Sequence, residues 1–168
     1  AYRGSRFDWT GFITKVVLDG QHSFCSVESE TPGQGCGGQG LCGEFGITDP
    51  VGFDEAEPGE MFPKLGVGLL KRPDDQPYSF FRPYEVTPFD VKVYCSSDSA
   101  DFVVEPMECN GYAVRLEKKI HVRGNRLEIS CRLDNVGSKP VRTNEYNHNF
   151  ISINKHPVGP EYCFSAGF

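Results

Sequence analysis

Residues 112–133 read Tyr-Ala-Val-Arg-Leu-Glu-Lys-Lys-Ile-His-Val-Arg-Gly-Asn-Arg-Leu-Glu-Ile-Ser-Cys-Arg-Leu, and this stretch decides the fold class. Apolar residues recur at alternate positions on both sides of a turn signal at 123–125: Tyr112, Val114, Leu116, Ile120 and Val122, then Leu127, Ile129, Cys131 and Leu133. A period of two places such side chains on one face of a strand. The stretch therefore predicts two antiparallel strands in a sheet that is covered on one side.

The composition favours short strands over helices. The chain has 168 residues, of which 38% are hydrophobic and 12% aromatic, with 19 Gly and 12 Pro. Turn signals recur at short intervals, and no segment keeps a helical period. We therefore expect a single all-β domain over residues 1–168, built as a sandwich or a barrel.

Further strands are predicted along the rest of the chain. The Asp19-Gly20-Gln21 turn predicts a hairpin between residues 12–18 and 22–27, because Asp-Gly between β-rich runs is a strong hairpin signal. Residues 28–63 are rich in glycine and acidic residues and are predicted as a long loop. The remaining predicted strands are 64–71, 78–82, 91–95 and 102–104.

A polar stretch, residues 141–154, follows the turn after residue 133 and is predicted as the third strand of a meander. A period of two places five residues on one face: Asn144, Tyr146, His148, Phe150 and Ser152. An aromatic ring, a histidine and an amide on one concave face would suit a sugar, whose hydroxyls need two-way hydrogen-bonding groups. The alternative is a structural histidine with asparagines that pair with the backbone, and the pattern alone does not separate the two.

The charge balance disfavours two classes of partner. The formal net charge is −6 and the isoelectric point is about 5.2. Nucleic acids and anionic membranes recruit proteins through basic patches, so we expect neither as a partner. No apolar run approaches the length of a membrane span, and no signal-peptide pattern is visible in the sequence.

Seven cysteines leave the redox compartment open. Cys36 and Cys42 are separated by five residues, which is poor spacing for a zinc knuckle, although their glycine-rich loop could equally hold a disulfide. Cys95 and Cys131 lie in strand-like patterns, where a free thiol acts as a small hydrophobe. We expect a reducing, cytoplasmic location, without a metal or another cofactor.

Three segments, taken in order, resemble a known sugar-processing family. Residues 5–13 read Ser-Arg-Phe-Asp-Trp-Thr-Gly-Phe-Ile, residues 59–70 read Gly-Glu-Met-Phe-Pro-Lys-Leu-Gly-Val-Gly-Leu-Leu, and residues 147–150 read Asn-His-Asn-Phe, with Pro-Val-Gly-Pro-Glu-Tyr at 157–162. Together they resemble an uncharacterised epimerase-like branch of the aldose 1-epimerase (galactose mutarotase-like) superfamily. The resemblance covers most of the chain.

The resemblance implies a fold and an activity. The fold would be an antiparallel β-supersandwich with the sugar in a cleft of the concave sheet. The family domain is longer, so we expect residues 1–168 to be a partial domain, incomplete at the C-terminus. The activity would be that of an isomerase in carbohydrate metabolism: a carboxylate takes the proton of the C1 hydroxyl, a histidine protonates the ring oxygen, and the open chain recloses as the other anomer.

The resemblance also assigns residues. His148 is expected to be the catalytic acid, because an imidazole titrates near neutral pH. A monosaccharide or sugar-derived ligand would be bound by a set of polar residues: Arg6, Asp8, Glu44, Asn144, Tyr146 and Asn147. No metal is required, and the oligomeric state stays open.

The chain also departs from the family pattern. The family's first histidine, in a His-Gly-Gly-like loop, has no match, and residues 40–46 offer Gly-Leu-Cys-Gly-Glu-Phe-Gly instead. The family's Asn-Arg-Ile near the N-terminus is replaced as well, with Arg6, Asp8 and Trp9 as the nearest polar candidates. Its catalytic glutamate lies near the end of a longer domain. A second hypothesis is therefore a non-catalytic carbohydrate-binding β-sandwich module of a larger carbohydrate-active protein, and a third is a purely structural sandwich.

Overall fold

The computed structural model describes residues 2–165, and this part of the chain contains eleven β-strands and no helix. All strand pairs are antiparallel, so the all-β prediction is confirmed. None of the described residues belongs to a helix that could span a membrane. The strands are β1 Val17–Leu18, β2 His22–Ser23, β3 Leu41–Phe45, β4 Met61–Lys64, β5 Gly68–Lys71, β6 Val86–Pro88, β7 Val91–Cys95, β8 Ser99–Val104, β9 Val114–Arg123, β10 Arg126–Asn135 and β11 Glu145–Asn149.

The largest sheet has the strand order β10-β9-β8-β7. The hairpin predicted from the alternation at 112–133 is confirmed: Ile129 lies opposite Ile120, and Arg126 opposite Arg123. Gly124 adopts a positive φ of 57° in the tight turn between them, a conformation that glycine reaches at little cost. Val91–Cys95 is a strand as predicted, and the strand predicted at 102–104 forms the end of β8.

The prediction that residues 141–154 form the third strand of a meander beside β10 is wrong. β11 pairs with β3, about a hundred residues earlier, and β10 is left as the edge of its sheet. The chain is drawn away from β10 because the amides of Val136 and Ser138 donate to the carbonyls of Ala113 and Gly111, at 3.0 and 2.9 Å. One face of β10 carries Arg126, Glu128, Ser130 and Arg132, which suits an exposed edge strand. The apolar face of β10 is not fully covered as predicted, because Ile129 is 49% exposed.

The segment 28–63, predicted as a loop, contains the strand β3 and all but the last residue of β4. Within β3, four of the five residues are buried, although glycines on both sides of the strand lower its apparent β-propensity. Gly40 is required at its start, because a Cβ there would lie 2.0 Å from the carbonyl oxygen of Ile13. Burial of β3 between other elements therefore overrides the local composition.

Three other strand predictions need correction. Residues 64–71 are not one strand, since the chain turns at Gly66, with a φ of 77°, between β4 and β5. Residues 78–82 form no strand: the amide of Arg82 donates to the carbonyl of Ser79 at 3.0 Å in a turn. The hairpin around Asp19-Gly20-Gln21 does form, but its paired strands are only β1 and β2.

Two apolar clusters make up the described core. The first joins Phe45 of β3 to Val104 of β8 and Leu116 of β9, and it includes Leu65. The second surrounds Phe62 of β4. Two charged residues, Glu44 and Lys64, directly precede Phe45 and Leu65 in sequence, so core packing fixes the backbone from which both charged side chains extend.

Candidate functional site

A buried carboxylate, that of Glu44, lies at the centre of a cluster of charged side chains. The residue is fully buried. Its Oε2 accepts a hydrogen bond from Arg6 Nε at 2.9 Å and lies 3.1 Å from His148 Nε2. Its Oε1 accepts from Lys64 Nζ at 3.2 Å. Two cations thus compensate the burial of one carboxylate, which would otherwise be costly.

Strand register brings the histidine to this carboxylate. Glu44 of β3 lies opposite Tyr146 of β11, and His148 lies opposite Cys42. Glu44 and His148 are therefore diagonal neighbours on one face of the two-stranded sheet, within reach of long side chains. The prediction that Tyr146 and His148 share a face is confirmed by this register.

The guanidinium of Arg6 is held by aromatic rings as well as by Glu44. Its central carbon lies 4.2 Å from the ring centroid of Phe80 and 4.6 Å from that of Phe7. Its Nη1 lies 3.5 Å from Glu28 Oε1. Stacking and pairing together suit a planar, delocalised cation that is mostly removed from water.

Glu28 ties the glycine-rich loop to the cluster. Its Oε2 accepts hydrogen bonds from the backbone amides of Cys36 and Gly38, at 2.6 and 3.0 Å. The side chain of Glu28 therefore organises this loop, and Cys36 and Cys42 form no disulfide in it. All seven cysteines lie in the described part of the chain and are free thiols, and residues 2–165 contain no group of three potential metal ligands.

Lys64 is the member of the cluster that sequence reasoning missed. Its side chain is fully buried, and its Nζ also donates to the carbonyl of Gly46 at 3.0 Å. Burial lowers the pKa of this lysine to about 8, although the charge of Glu44 opposes the change. The only signal in the sequence is a lysine inside an otherwise apolar run between Met61 and Leu70.

His148 retains some contact with solvent. Its side chain is 13% exposed. The ring makes an edge contact with Phe7, with centroids 5.0 Å apart, and contacts Tyr146, with centroids 4.5 Å apart. Tyr146 is itself 53% exposed, so it offers an open aromatic surface beside the imidazole.

The protonation of His148 follows from its surroundings. Burial lowers the pKa of the imidazole, the nearby charge of Arg6 adds to this, and the hydrogen bond to Glu44 opposes it. The ring is therefore neutral at pH 7. Because a carboxylate only accepts hydrogen bonds, Nε2 of His148 carries the hydrogen and Nδ1 carries a lone pair. This arrangement can accept and return a proton at Nδ1.

Asp8 does not join Glu44 but forms a second buried ion pair. Its Oδ2 lies 2.5 Å from Lys118 Nζ, and its Oδ1 accepts from the amide and the hydroxyl of Thr10 at 2.8 and 2.6 Å. Burial raises the pKa of Asp8, while Lys118 and Thr10 oppose the change. Lys118 was missed too, although it stands at a position of the 112–122 alternation where every other residue is apolar.

Asn147 and Asn144, two other predicted binding residues, are not among the described hydrogen-bond partners of the Glu44 carboxylate. Asn147 projects from the face of β11 opposite His148 and lines a cavity with Lys118. Asn144 precedes β11, and its carbonyl accepts from the amide of Gly46 at 3.0 Å. The structure thus brings together Arg6, Glu44, Tyr146 and His148, and it places Asp8 and Asn147 elsewhere.

Comparison with known proteins gave no relative: no protein-family model, no curated protein and no solved structure matches this chain. A functional proposal therefore rests on the residues of this chain and their geometry.

Proposed function

We propose that this protein binds a monosaccharide or sugar-derived ligand beside His148 and interconverts its anomers by acid–base catalysis. The observation that carries the proposal is the 3.1 Å contact between Glu44 Oε2 and His148 Nε2, which leaves Nδ1 as a proton acceptor on a partly exposed ring. The exposed ring of Tyr146 supplies a surface on which the apolar face of a pyranose can pack. The order of the three sequence segments that resemble aldose 1-epimerases supports the same activity.

The proposed reaction moves one proton between two oxygens on the same carbon. Nδ1 of His148 takes the proton of the C1 hydroxyl, the C1–O5 bond breaks with its electron pair going to O5, and C1 becomes a carbonyl carbon. The imidazolium then donates the proton to O5, so His148 acts as the acid in this step, as expected from the sequence. Rotation of the carbonyl and reversal of these steps give the other anomer, so protons and electrons balance without a cofactor.

Glu44, Arg6 and Lys64 are positioning residues in this scheme. Glu44 fixes the tautomer of His148 and stabilises the imidazolium that forms after proton uptake. Arg6 and Lys64 hold Glu44 in place through both of its oxygens. Burial lowers the pKa of His148, and the charge of Arg6 adds to this, so the resting imidazole is neutral.

A non-catalytic carbohydrate-binding module is the second candidate. One observation favours it: Glu44 is fully buried with three partners, so it is not free to act as a second proton-transfer group on a bound sugar. In that case the Glu44 cluster would shape a binding face and nothing more.

Polarimetry with freshly dissolved α-D-glucose and α-D-galactose tests the proposal. We expect the protein to accelerate anomerisation over buffer and His148→Ala to lose about 10²-fold or more of this effect. His121→Ala is the matched control, because His121 Nε2 likewise faces a carboxylate, Asp98 Oδ2, at 3.3 Å. If no aldose is anomerised faster than in buffer, the enzymatic proposal fails. Calorimetric sugar binding that survives His148→Ala without any anomerisation would identify the module instead.

A further inference from the structure

A polar cavity lies on the face of β3 and β11 opposite His148. Its volume is about 380 Å³, which is in the range of small-molecule sites. Strands β9 and β10 form the facing wall. Six residues give the cavity its chemistry: Leu41, Lys118, Ile129, Glu145, Asn147 and Asn149.

Gly43 leaves an atom-sized space in the lining of this cavity. A Cβ built on Gly43 would lie 3.4 Å from Glu145 Oε1, 3.6 Å from Lys118 Nζ and 3.9 Å from Asn147 Oδ1. A carboxylate oxygen, an ammonium group and an amide oxygen therefore surround a single point. The absence of a side chain at position 43 keeps that point open.

The polar groups around this point have unused hydrogen-bonding capacity. Lys118 has three N–H donors. One donates to Asp8 at 2.5 Å, and a second makes a long, weak contact of 3.5 Å with the carbonyl of Thr10. Among the ion pairs of residues 2–165, Lys118 pairs with Asp8 and not with Glu145. A hydroxyl between them could accept from Lys118 and donate to Glu145 at the same time.

Charge and shape narrow the ligand class. Lys118 is balanced by Asp8, so Glu145 leaves the cavity with a net negative charge, which disfavours phosphate and carboxylate ligands. The side-chain amides of Asn147 and Asn149 both donate and accept, as hydroxyl groups require. Ile129 provides an apolar wall for the C–H face of a carbohydrate.

We propose that this cavity is a second ligand site, which takes a neutral polyhydroxy compound such as a sugar or a polyol. A ligand hydroxyl would occupy the space beside Gly43 and bridge Lys118 and Glu145. The site is independent of His148, because the two lie on opposite faces of the same strand pair. The proposal of this second site does not depend on the proposed interconversion of anomers at His148.

Titration with sorbitol, followed by ¹⁵N NMR of the side-chain amides, tests this site. Sorbitol is an open-chain polyol without an anomeric carbon, so its binding is separable from catalysis at His148. We expect saturable shifts of the Asn147 and Asn149 amide signals. Gly43→Ala should weaken binding by at least about tenfold, because its methyl group fills the space without a clash shorter than 3.4 Å.

Two further variants keep the test decisive. Glu145→Ala removes the exposed carboxylate and should also weaken sorbitol binding, whereas Glu30→Ala, a change at another exposed glutamate, should not. His121→Ala, at a histidine that does not line the cavity, should leave sorbitol binding unchanged. The proposal is overturned if no saturable shift occurs, if inorganic phosphate binds in place of sorbitol, or if Gly43→Ala and Glu145→Ala both bind like the wild type.

Discussion

Replacement of Lys64 by methionine should change how stability depends on pH. Lys64 has a pKa of about 8 in the folded protein, against 10.5 for an unperturbed lysine. Below pH 8 the lysine is charged in both states, and the folded state bears the cost of burying that charge. A pKa difference of this size corresponds to about 3 kcal/mol, at about 1.4 kcal/mol per pKa unit.

The sign follows from proton binding. Between pH 8 and pH 10.5 the unfolded chain holds a proton on Lys64 that the folded protein has released. Stability rises with pH wherever the unfolded state binds more protons. The stability of the wild type relative to Lys64→Met should therefore increase by about 3 kcal/mol between pH 7 and pH 10.5.

Urea denaturation of both proteins at half-unit steps of pH measures this difference. Lys71→Met is the control, because Lys71 lies in the same hairpin with its side chain 46% exposed and pairs with Glu85 at 3.8 Å. That variant should track the wild type to within about 1 kcal/mol at every pH. If the difference in unfolding free energy between wild type and Lys64→Met does not change with pH, the reasoning is refuted, because burial then does not shift the pKa of this lysine.

Three further predictions concern the buried charges. Lys118→Met should lose about 3 to 5 kcal/mol of unfolding free energy, because Asp8 is left without its cation. Lys119→Met, on the exposed face, should lose less than about 1 kcal/mol. Equal losses of the two variants in urea denaturation would contradict this prediction. Gly66→Ala should cost more than about 1 kcal/mol, because its φ is 77° and its Cβ would lie 2.3 Å from Asp8 Oδ1; an unchanged unfolding midpoint would argue against that close approach. His148 should titrate below pH 6.5 by NMR, and a value above 6.5 would mean that the pull of Glu44 outweighs burial.

Local alternation explains what the sequence could predict of the fold. The β9–β10 hairpin follows from a period of two and a turn glycine, which need only neighbouring residues. The same alternation contained the signal for Lys118, because a lysine at an inward position must find a buried partner. That partner, Asp8, is 110 residues away, and no local pattern identifies it.

Non-local pairing explains what the sequence could not predict. β11 pairs with β3 instead of β10, and β3 lies in a segment whose glycines resemble a loop. Glu44 and His148 were each predicted as site residues, but their contact depends on this pairing. The separation of Asn147 from His148, in contrast, needs only the period of two, which places adjacent strand residues on opposite faces.

The pH profile of α-D-glucose anomerisation, corrected for the buffer rate, tests the central claim most directly. If neutral His148, held by Glu44, starts the reaction, the protein-dependent rate should be constant above pH 7 and fall as the pH drops through the lowered pKa of His148. His121→Ala should keep this profile and His148→Ala should abolish it. A protein-dependent rate that does not fall at low pH, or that persists in His148→Ala, would contradict the account.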